Sequence, residues 1–247
     1  TALLEGFRCT PHIAGLAARF IPDTEQAERF LVQTRTLSPE KEKPLLFVAR
    51  DDKEELENLV STLQARQNLG DRIAVLVPGK KHMPPILQAC QEQGLHVEGP
   101  TTRSSGQGAN SPTYDFSTDR PKIMTYHSAK GLTFDTVLMP RLSTGHFRGN
   151  IATKMSKFLF LGITRAVRWV YLSANRSQPI SPIRSLIELE RYSPEKADVS
   201  VTHGKYSGQL YLPGVINNCE RSRSQQRYNQ EEVEDPTANR GDMADWF

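Results

Sequence analysis

The sequence contains few cysteines, and their spacing matches neither a metal site nor a disulfide framework. Cys9, Cys90 and Cys219 are the only three in 247 residues. The number is odd, and no Cys-x-x-Cys or Cys/His spacing is present. Zinc-binding and disulfide-rich secreted proteins are therefore not indicated, and we expect a reducing intracellular compartment such as a cytoplasm.

Long apolar runs and a leader segment are also missing. No apolar run approaches the roughly 20 residues that a membrane-spanning helix needs, so we expect no membrane segment. The chain opens at Thr1 without a methionine, a basic leader or an apolar signal segment, and we expect a fragment or a processed product of a longer protein. The formal net charge of +3 permits binding to a polyanion without indicating it.

A complete triphosphate site is missing as well. Pro78-Gly-Lys-Lys81 follows an apolar run but lacks the G-x-x-x-x-G-K-[ST] frame of a phosphate-binding loop, so we expect a solvated turn. No Asp-Glu pair stands at the end of a strand-like run, where it could hold magnesium. The sequence therefore predicts no metal ligands in this chain.

The middle of the chain alternates between buried strands and amphipathic helices. Residues 45–49 and 73–77 are apolar throughout. Each is followed by apolar residues at helical spacing and then by a glycine, Gly70 or Gly94. Strands that are apolar along their whole length are typical of a parallel sheet with helices on both faces. The sequence predicts an α/β three-layer sandwich with ligand sites at the carboxyl ends of the strands.

The flanking segments complete the predicted organisation. Thr10 and Pro11 predict the start of a helix that runs to about Phe20. We expect a main domain over residues 1–197, a long loop over 98–121, a small extension with hairpin character over 198–219, and a disordered tail over 220–247.

Two strand-like runs within residues 122–139 enclose a polar turn. Thr125 and His127 are two apart on the first run and face the same way. Ser128, Lys130 and Gly131 add a hydroxyl, a cation and an open backbone amide, which are donors suited to phosphate. The alternative is a solvated loop whose histidine has an ordinary hydrogen bond. The residues alone leave both interpretations open.

Residues 158–168 indicate an apolar helix whose last turns carry Gly162, Thr164 and Arg165. A buried arginine at that place would need an anionic partner. The alternative is a helix end at which Arg165 and Arg168 are solvated and interact favourably with the helix dipole.

Three segments, in this order, resemble motifs IV, V and VI of the UvrD/Rep/PcrA-like superfamily 1 DNA helicases. They are Leu3-Leu-Glu-Gly-Phe-Arg-Cys-Thr-Pro-His-Ile13, the T-x-H-x-x-K-G-L-x-F-D segment from Thr125, and the L-x-x-T-R-A segment from Leu161. The resemblance covers roughly residues 2–174. It implies a RecA-like parallel sheet, the second RecA-like domain of such a helicase.

The resemblance also implies roles at the nucleotide. Arg8 and Arg165 match two arginines that reach the γ-phosphate of ATP and stabilise the charge of phosphoryl transfer. Gly131 and Thr133 match positions beside the nucleotide. The implied cofactor is ATP with Mg²⁺, held mainly by a first RecA-like domain that would be this chain's partner.

On the nucleic-acid side, Thr125 and His127 match residues that contact the backbone of single-stranded DNA. Ser128 and Lys130 belong to the same loop. The helicase signatures of a first RecA-like domain are not among the 247 residues. We therefore expect the chain alone neither to hydrolyse ATP nor to unwind DNA.

The sequence departs from the family pattern in three places. Thr133 stands where a glutamate associated with the nucleotide sugar is usual, and Gly6-Phe7 stands where Asn-Tyr is usual. The loop over residues 98–121 occupies the place of an inserted accessory domain, which predicts a compact variant.

A second hypothesis belongs to another class of function. The acidic and aromatic segment Asp242-Met-Ala-Asp-Trp-Phe247 has the character of a short motif that docks into a partner's hydrophobic groove. In that case the helicase-like fold would be a non-catalytic scaffold for a protein partner. The alternative is a solubilising disordered end.

Overall fold

The computed structural model describes residues 8–36, 42–100, 114–147 and 154–204. A short parallel pair joins β1 (Arg8–Cys9) to β2 (Arg35–Thr36). The main sheet has six parallel strands in the order β5-β4-β6-β7-β3-β8. Their bounds are β3 Leu45–Ala49, β4 Ile73–Val77, β5 Lys122–Thr125, β6 Phe134–Met139, β7 Ala166–Asn175 and β8 Ser200–His203.

Helices cover this sheet in two groups. The helices are α1 Pro11–Ala18, α2 Thr24–Gln33, α3 Asp52–Asn68, α4 Met83–Glu92, α5 Met155–Ile163 and α6 Ser181–Tyr192. One apolar cluster joins α1, α2, α5 and α6 to alternate strand residues such as Leu46 and Val48, while α3 packs against α4 and the sheet. The predicted α/β fold, a parallel sheet with helices, is confirmed.

Helix starts follow the capping residues in the sequence. The Thr10 hydroxyl accepts a hydrogen bond from the Ile13 amide at 3.3 Å, and Asp23 accepts from the Gln26 amide at 2.8 Å. Each cap satisfies an amide that lacks a partner within the helix. These two caps set where α1 and α2 begin.

The helix predicted over residues 158–168 ends earlier in the structure than expected. α5 stops at Ile163, and β7 begins at Ala166. The Phe134 amide donates to the Arg165 carbonyl at 2.9 Å, so pairing with β6 draws the chain into the sheet. Arg168 therefore lies on a strand, where it donates to Asp71 at 3.1 Å.

The sheet continues past the predicted domain boundary at residue 197. β8 pairs in parallel with β3, from Leu45↔Ser200 to Val48↔His203, so the boundary is corrected to a later position. The predicted hairpin and tail beyond residue 204, the segment 242–247, and residues 101–113 of the predicted loop lie outside the described residues. Among the helices that the structure describes, none is long and apolar enough to cross a membrane.

A buried carboxylate joins α3 to the carboxyl ends of β6 and β7. Glu55 is 1 % exposed. It accepts hydrogen bonds from the Arg141 amide and the Ser173 hydroxyl, each at 2.7 Å, and from the Arg141 guanidinium at 3.0 Å. Burial raises the pKa of Glu55, while the charge of Arg141 opposes the shift. Arg141 has φ of 66°, an uncommon backbone conformation for a residue with a side chain.

Acid is expected to destabilise the fold through His82. Burial, reinforced by the nearby charges of His146, Lys81 and Arg141, lowers the pKa of His82 from 6.5 to about 4. The unfolded chain therefore binds more protons between these values, and stability falls as pH drops from 6.5 towards 4. We expect His82 to contribute a loss of about 1 kcal/mol at pH 5, after allowance for solvent screening of a half-buried group.

Urea unfolding at pH 7 and pH 5 measures this loss. His82→Gln should reduce the difference between the two pH values, whereas His96→Gln, at an exposed histidine, should leave it unchanged. An equal acid sensitivity in both variants would contradict the assignment to His82.

Candidate functional site

Residues 126–133, here called the crossing segment, run from the carboxyl end of β5 to the amino end of β6, and β4 lies between those strands in the sheet. Thr125 is thus at the carboxyl edge of the sheet, where the site was predicted. Arg165 precedes the amino end of β7, so it lies at the opposite edge of the sheet from Thr125. The reason is topological, because a chain linking two parallel strands must return along the sheet.

The carboxyl-edge end of the crossing segment is a tight hydroxyl turn. The Thr125 and Ser128 hydroxyls lie 3.0 Å apart, and the Ser128 amide donates to the Thr125 hydroxyl at 3.3 Å. His127 is exposed, and its ring meets Phe158 of α5 edge-on at 5.4 Å between centroids. This end presents two hydroxyls and an imidazole that can donate to a phosphate.

Buried residues anchor the crossing segment beneath α5. Tyr126 and Ala129 are buried, whereas His127 and Lys130 are exposed. A Cβ atom at Gly162 would lie 2.6 Å from Met139 Cε and 3.2 Å from Tyr126 Cε1. The absent side chain at Gly162 thus lets α5 approach both the crossing segment and β6.

The amino-edge end of the crossing segment meets Arg165. Gly131 has φ of 85°, a conformation that glycine adopts without strain. The half-buried Arg165 guanidinium donates to the Leu161 carbonyl at 3.2 Å, the Leu132 carbonyl at 3.4 Å and the Thr164 hydroxyl at 3.3 Å. Burial lowers the pKa of Arg165, although a guanidinium remains charged at neutral pH. These contacts hold a cation at the junction of α5 and the crossing segment.

A cavity of about 780 Å³ opens beside Arg165. We call it the α2–α5 cavity. It is lined by Phe20, Ile21, Pro22, Gln26, Arg29, Phe30, Lys130, Gly131, Lys157, Phe160, Leu161, Thr164 and Arg165. Four of these side chains are cationic and none of these lining residues is acidic. The arrangement favours an anionic ligand with an apolar part.

The structure separates some of the predicted site residues. Lys130 and Gly131 line the α2–α5 cavity together with Arg165, whereas Thr133 lines a different cavity of about 140 Å³ with Arg72. Arg8 belongs to β1 by its backbone, and its side chain lies outside the described residues. Thr125, His127 and Ser128 form the group at the opposite end of the crossing segment.

Sequence reasoning missed the contributions of two helices to the cavity. Lys157 and Phe160 on α5, and Gln26 and Arg29 on α2, all line it. Their spacing of three residues within each helix indicates a shared face. No local pattern indicates that the two faces meet.

Comparison with known proteins gives fold relatives only. No family model matches the chain, and no curated protein matches its sequence. The solved C-terminal domain of a possible DNA helicase from Lactobacillus plantarum WCFS1 matches 79 % of this chain and 98 % of its own, at 15 % identity and a TM-score of 0.55. The chain has the fold of a helicase C-terminal domain.

Two further solved structures show weaker similarity to this RecA-like fold. The C-terminal domain of the DEAD-box protein Dbp5 has 14 % identity and a TM-score of 0.37, covering 65 % of this chain and 88 % of its own. A variant of S. cerevisiae Dbp5 bound to Gle1 and IP6 has 15 % identity and a TM-score of 0.44, covering 82 % of this chain and 50 % of its own.

Proposed function

We propose that this chain is the second motor domain of an ATP-dependent, UvrD/Rep/PcrA-like helicase or translocase acting on single-stranded DNA. The helicase-type fold and the order of the three motif segments support the proposal. The observation that carries it is the crossing segment, which joins the Thr125 turn at one edge of the sheet to the Arg165 cavity at the other.

At the cavity end, Arg165 is the proposed arginine finger. Its backbone-carbonyl contacts orient the guanidinium before a ligand arrives, and such a fixed cation can stabilise charge that develops on a transferring phosphoryl group. Arg8 is the second proposed finger. The first RecA-like domain would supply the phosphate-binding loop and hold Mg²⁺, so the chain alone is expected not to hydrolyse ATP.

At the opposite end, the proposed ligand is the sugar-phosphate backbone of single-stranded DNA. Thr125 and Ser128 offer hydroxyls, and His127 extends an exposed imidazole from the same turn. Contacts of this kind position a strand without reading its sequence. Lys130 is also proposed as a nucleic-acid contact. Because it lines the α2–α5 cavity, its ammonium group can bind a phosphate of the DNA or of the nucleotide.

The two ends are connected through α5. Phe158 touches His127, and one turn further along α5 Leu161 accepts a hydrogen bond from Arg165. A nucleotide that draws Arg165 towards its phosphate would pull on both α5 and the crossing segment. ATP shifts the population towards one arrangement of α5 and the crossing segment if it makes stronger contacts in that arrangement than in the other.

His127→Ala is expected to weaken binding of a single-stranded oligonucleotide by roughly 3- to 10-fold, because it removes one phosphate contact. Fluorescence anisotropy of a labelled oligothymidylate, titrated with the isolated chain at several salt concentrations, measures both affinity and salt dependence. Binding by the unmodified chain should weaken as salt rises, since it rests on phosphate contacts.

His96→Ala is the matched control, because His96 is an exposed histidine in the connection between α4 and β5. Its affinity should equal that of the unmodified chain. Equal losses in the two variants, or none in His127→Ala, would contradict the proposed DNA contact.

A further inference from the structure

The polar side chains of the Thr125 turn are oriented in different ways. The Thr125 and Ser128 hydroxyls lie 3.0 Å apart, and the Ser128 amide donates to the Thr125 hydroxyl, so these two hydroxyls are oriented within the turn itself. The His127 imidazole is exposed, and it contacts the ring of Phe158 on α5. The direction of the imidazole therefore depends on a residue of a different element.

Phe158 is itself held in place. It is partly buried and packs against the apolar cluster between the helices and the sheet. Its ring lies 5.5 Å from the ring of Tyr126 between centroids, with an interplanar angle of 31°, and Tyr126 is buried. A side chain in a helix has few rotamers, and these neighbours restrict Phe158 further. Phe158 can thus act as a fixed support for a more mobile side chain.

The contact between Phe158 and His127 has a defined geometry. The two ring planes are nearly perpendicular, at 88°, with 5.4 Å between centroids. An edge-to-face arrangement is favourable for two ring systems, because the positive edge of one ring meets the negative face of the other. The contact therefore favours one orientation of an exposed imidazole that would otherwise rotate in solvent.

The orientation of the imidazole matters for binding to a phosphate. A ring nitrogen donates a good hydrogen bond only over a limited range of angles. A side chain that is free before binding must be ordered when the ligand arrives, and this ordering reduces affinity. An imidazole that Phe158 already orients loses less freedom on binding.

We propose that Phe158 is a positioning residue of the DNA contact: its ring holds the His127 imidazole in the orientation from which it donates to a backbone phosphate of single-stranded DNA. The inference rests on the proposed function and deepens it, because it assigns a residue of α5 to the DNA-binding end of the crossing segment. Phe158 acts only through His127 in this role, so the loss of its ring can cost no more affinity than the loss of the imidazole.

A double-mutant cycle of Phe158→Leu and His127→Ala tests the inference, with a labelled oligothymidylate and fluorescence anisotropy as the readout. Phe158→Leu alone should weaken binding roughly 2- to 5-fold, because the imidazole must then be ordered on binding. In the His127→Ala background, Phe158→Leu should leave the affinity unchanged, because the group that it orients is gone. A role in packing alone predicts the same loss in both backgrounds.

Two further variants separate orientation of the imidazole from packing of the core. Phe158→Tyr keeps the ring and should bind the oligonucleotide as tightly as the unmodified chain. Phe147→Leu removes a buried ring from the same apolar cluster, so it should lower the stability to urea without changing DNA affinity. If Phe147→Leu weakened DNA binding as much as Phe158→Leu does, packing would explain the loss and the positioning role would be overturned.

The cycle also separates this inference from the proposed function. Unchanged affinity in His127→Ala would overturn the DNA contact and its positioning residue together. If His127→Ala weakens binding while Phe158→Leu has no effect, or has the same effect in both backgrounds, the DNA contact stands and only the role of Phe158 is overturned.

Discussion

Arg165→Ala is expected to lower the kcat of DNA-stimulated ATP hydrolysis by about 10³-fold or more in a protein that joins this chain to a first RecA-like domain. The reason is that a fixed guanidinium beside the γ-phosphate stabilises charge that develops during transfer. Steady-state hydrolysis with saturating single-stranded DNA measures the effect. A transition-state role predicts that kcat falls much more than KM rises.

Arg168→Ala provides the matched control for this experiment. Arg168 lies three residues further along the chain on β7 and donates to Asp71, so its loss should leave kcat within a few-fold of the unmodified value. Arg165→Lys retains a charge but not the forked geometry of the guanidinium, and should recover little activity. Unchanged turnover in Arg165→Ala would refute the arginine-finger role.

Glu55→Ala is expected to destabilise the fold by about 3–5 kcal/mol, the usual cost of removing one partner from a buried ion pair. The change leaves the Arg141 guanidinium without its buried carboxylate, and the Arg141 amide and Ser173 hydroxyl without their acceptor. Urea unfolding at pH 7, analysed from the midpoint and slope of the transition, measures the loss.

Glu57→Ala is the comparison on the same helix. Glu57 is exposed, and its Oε1 lies 3.9 Å from Nζ of the exposed Lys53, which is a weak surface ion pair. Its cost should stay below about 0.5 kcal/mol. Asp52 lies 3.2 Å from the Arg141 guanidinium and is 58 % exposed. A loss below about 1 kcal/mol in Glu55→Ala would mean that Asp52 and solvent replace the buried carboxylate.

Much of the sheet could be predicted because its central strands are buried on both faces. Residues 45–49 and 73–77 are apolar throughout, and these bounds are those of β3 and β4. The start of α1 was equally visible, because Thr10 caps it through a local hydrogen bond. Features that depend on residues close together in the chain can be predicted from the local sequence.

Features that depend on distant pairing were not predictable in the same way. β8 is short and only partly buried, so its own pattern is weak, and its membership of the sheet comes from pairing with β3. Arg168 follows an apolar run that suits either a helix or a strand. Its place on β7 depends on pairing between β6 and β7.

The sequence predicted which residues belong to the candidate site better than it predicted where they lie relative to one another. Thr125, His127 and Arg165 were identified as candidates from the resemblance to helicase motifs, yet their division between opposite edges of the sheet follows from the return path of the crossing segment. The α2–α5 cavity joins faces more than one hundred residues apart in the chain. Only the tertiary packing of α2 near α5 creates it.

The pairing of β8 with β3 covers a strand edge that would otherwise be open to pairing with another chain. β3 consists of five buried apolar residues, and without β8 one whole side of its backbone would lack ladder partners. Such an unpaired apolar strand is a template on which another chain can add by strand pairing, which leads to aggregation. The four residues of β8 include Ser200 and Thr202, which are half-buried, and His203, which is exposed, so β8 replaces that edge with a shorter and more polar one.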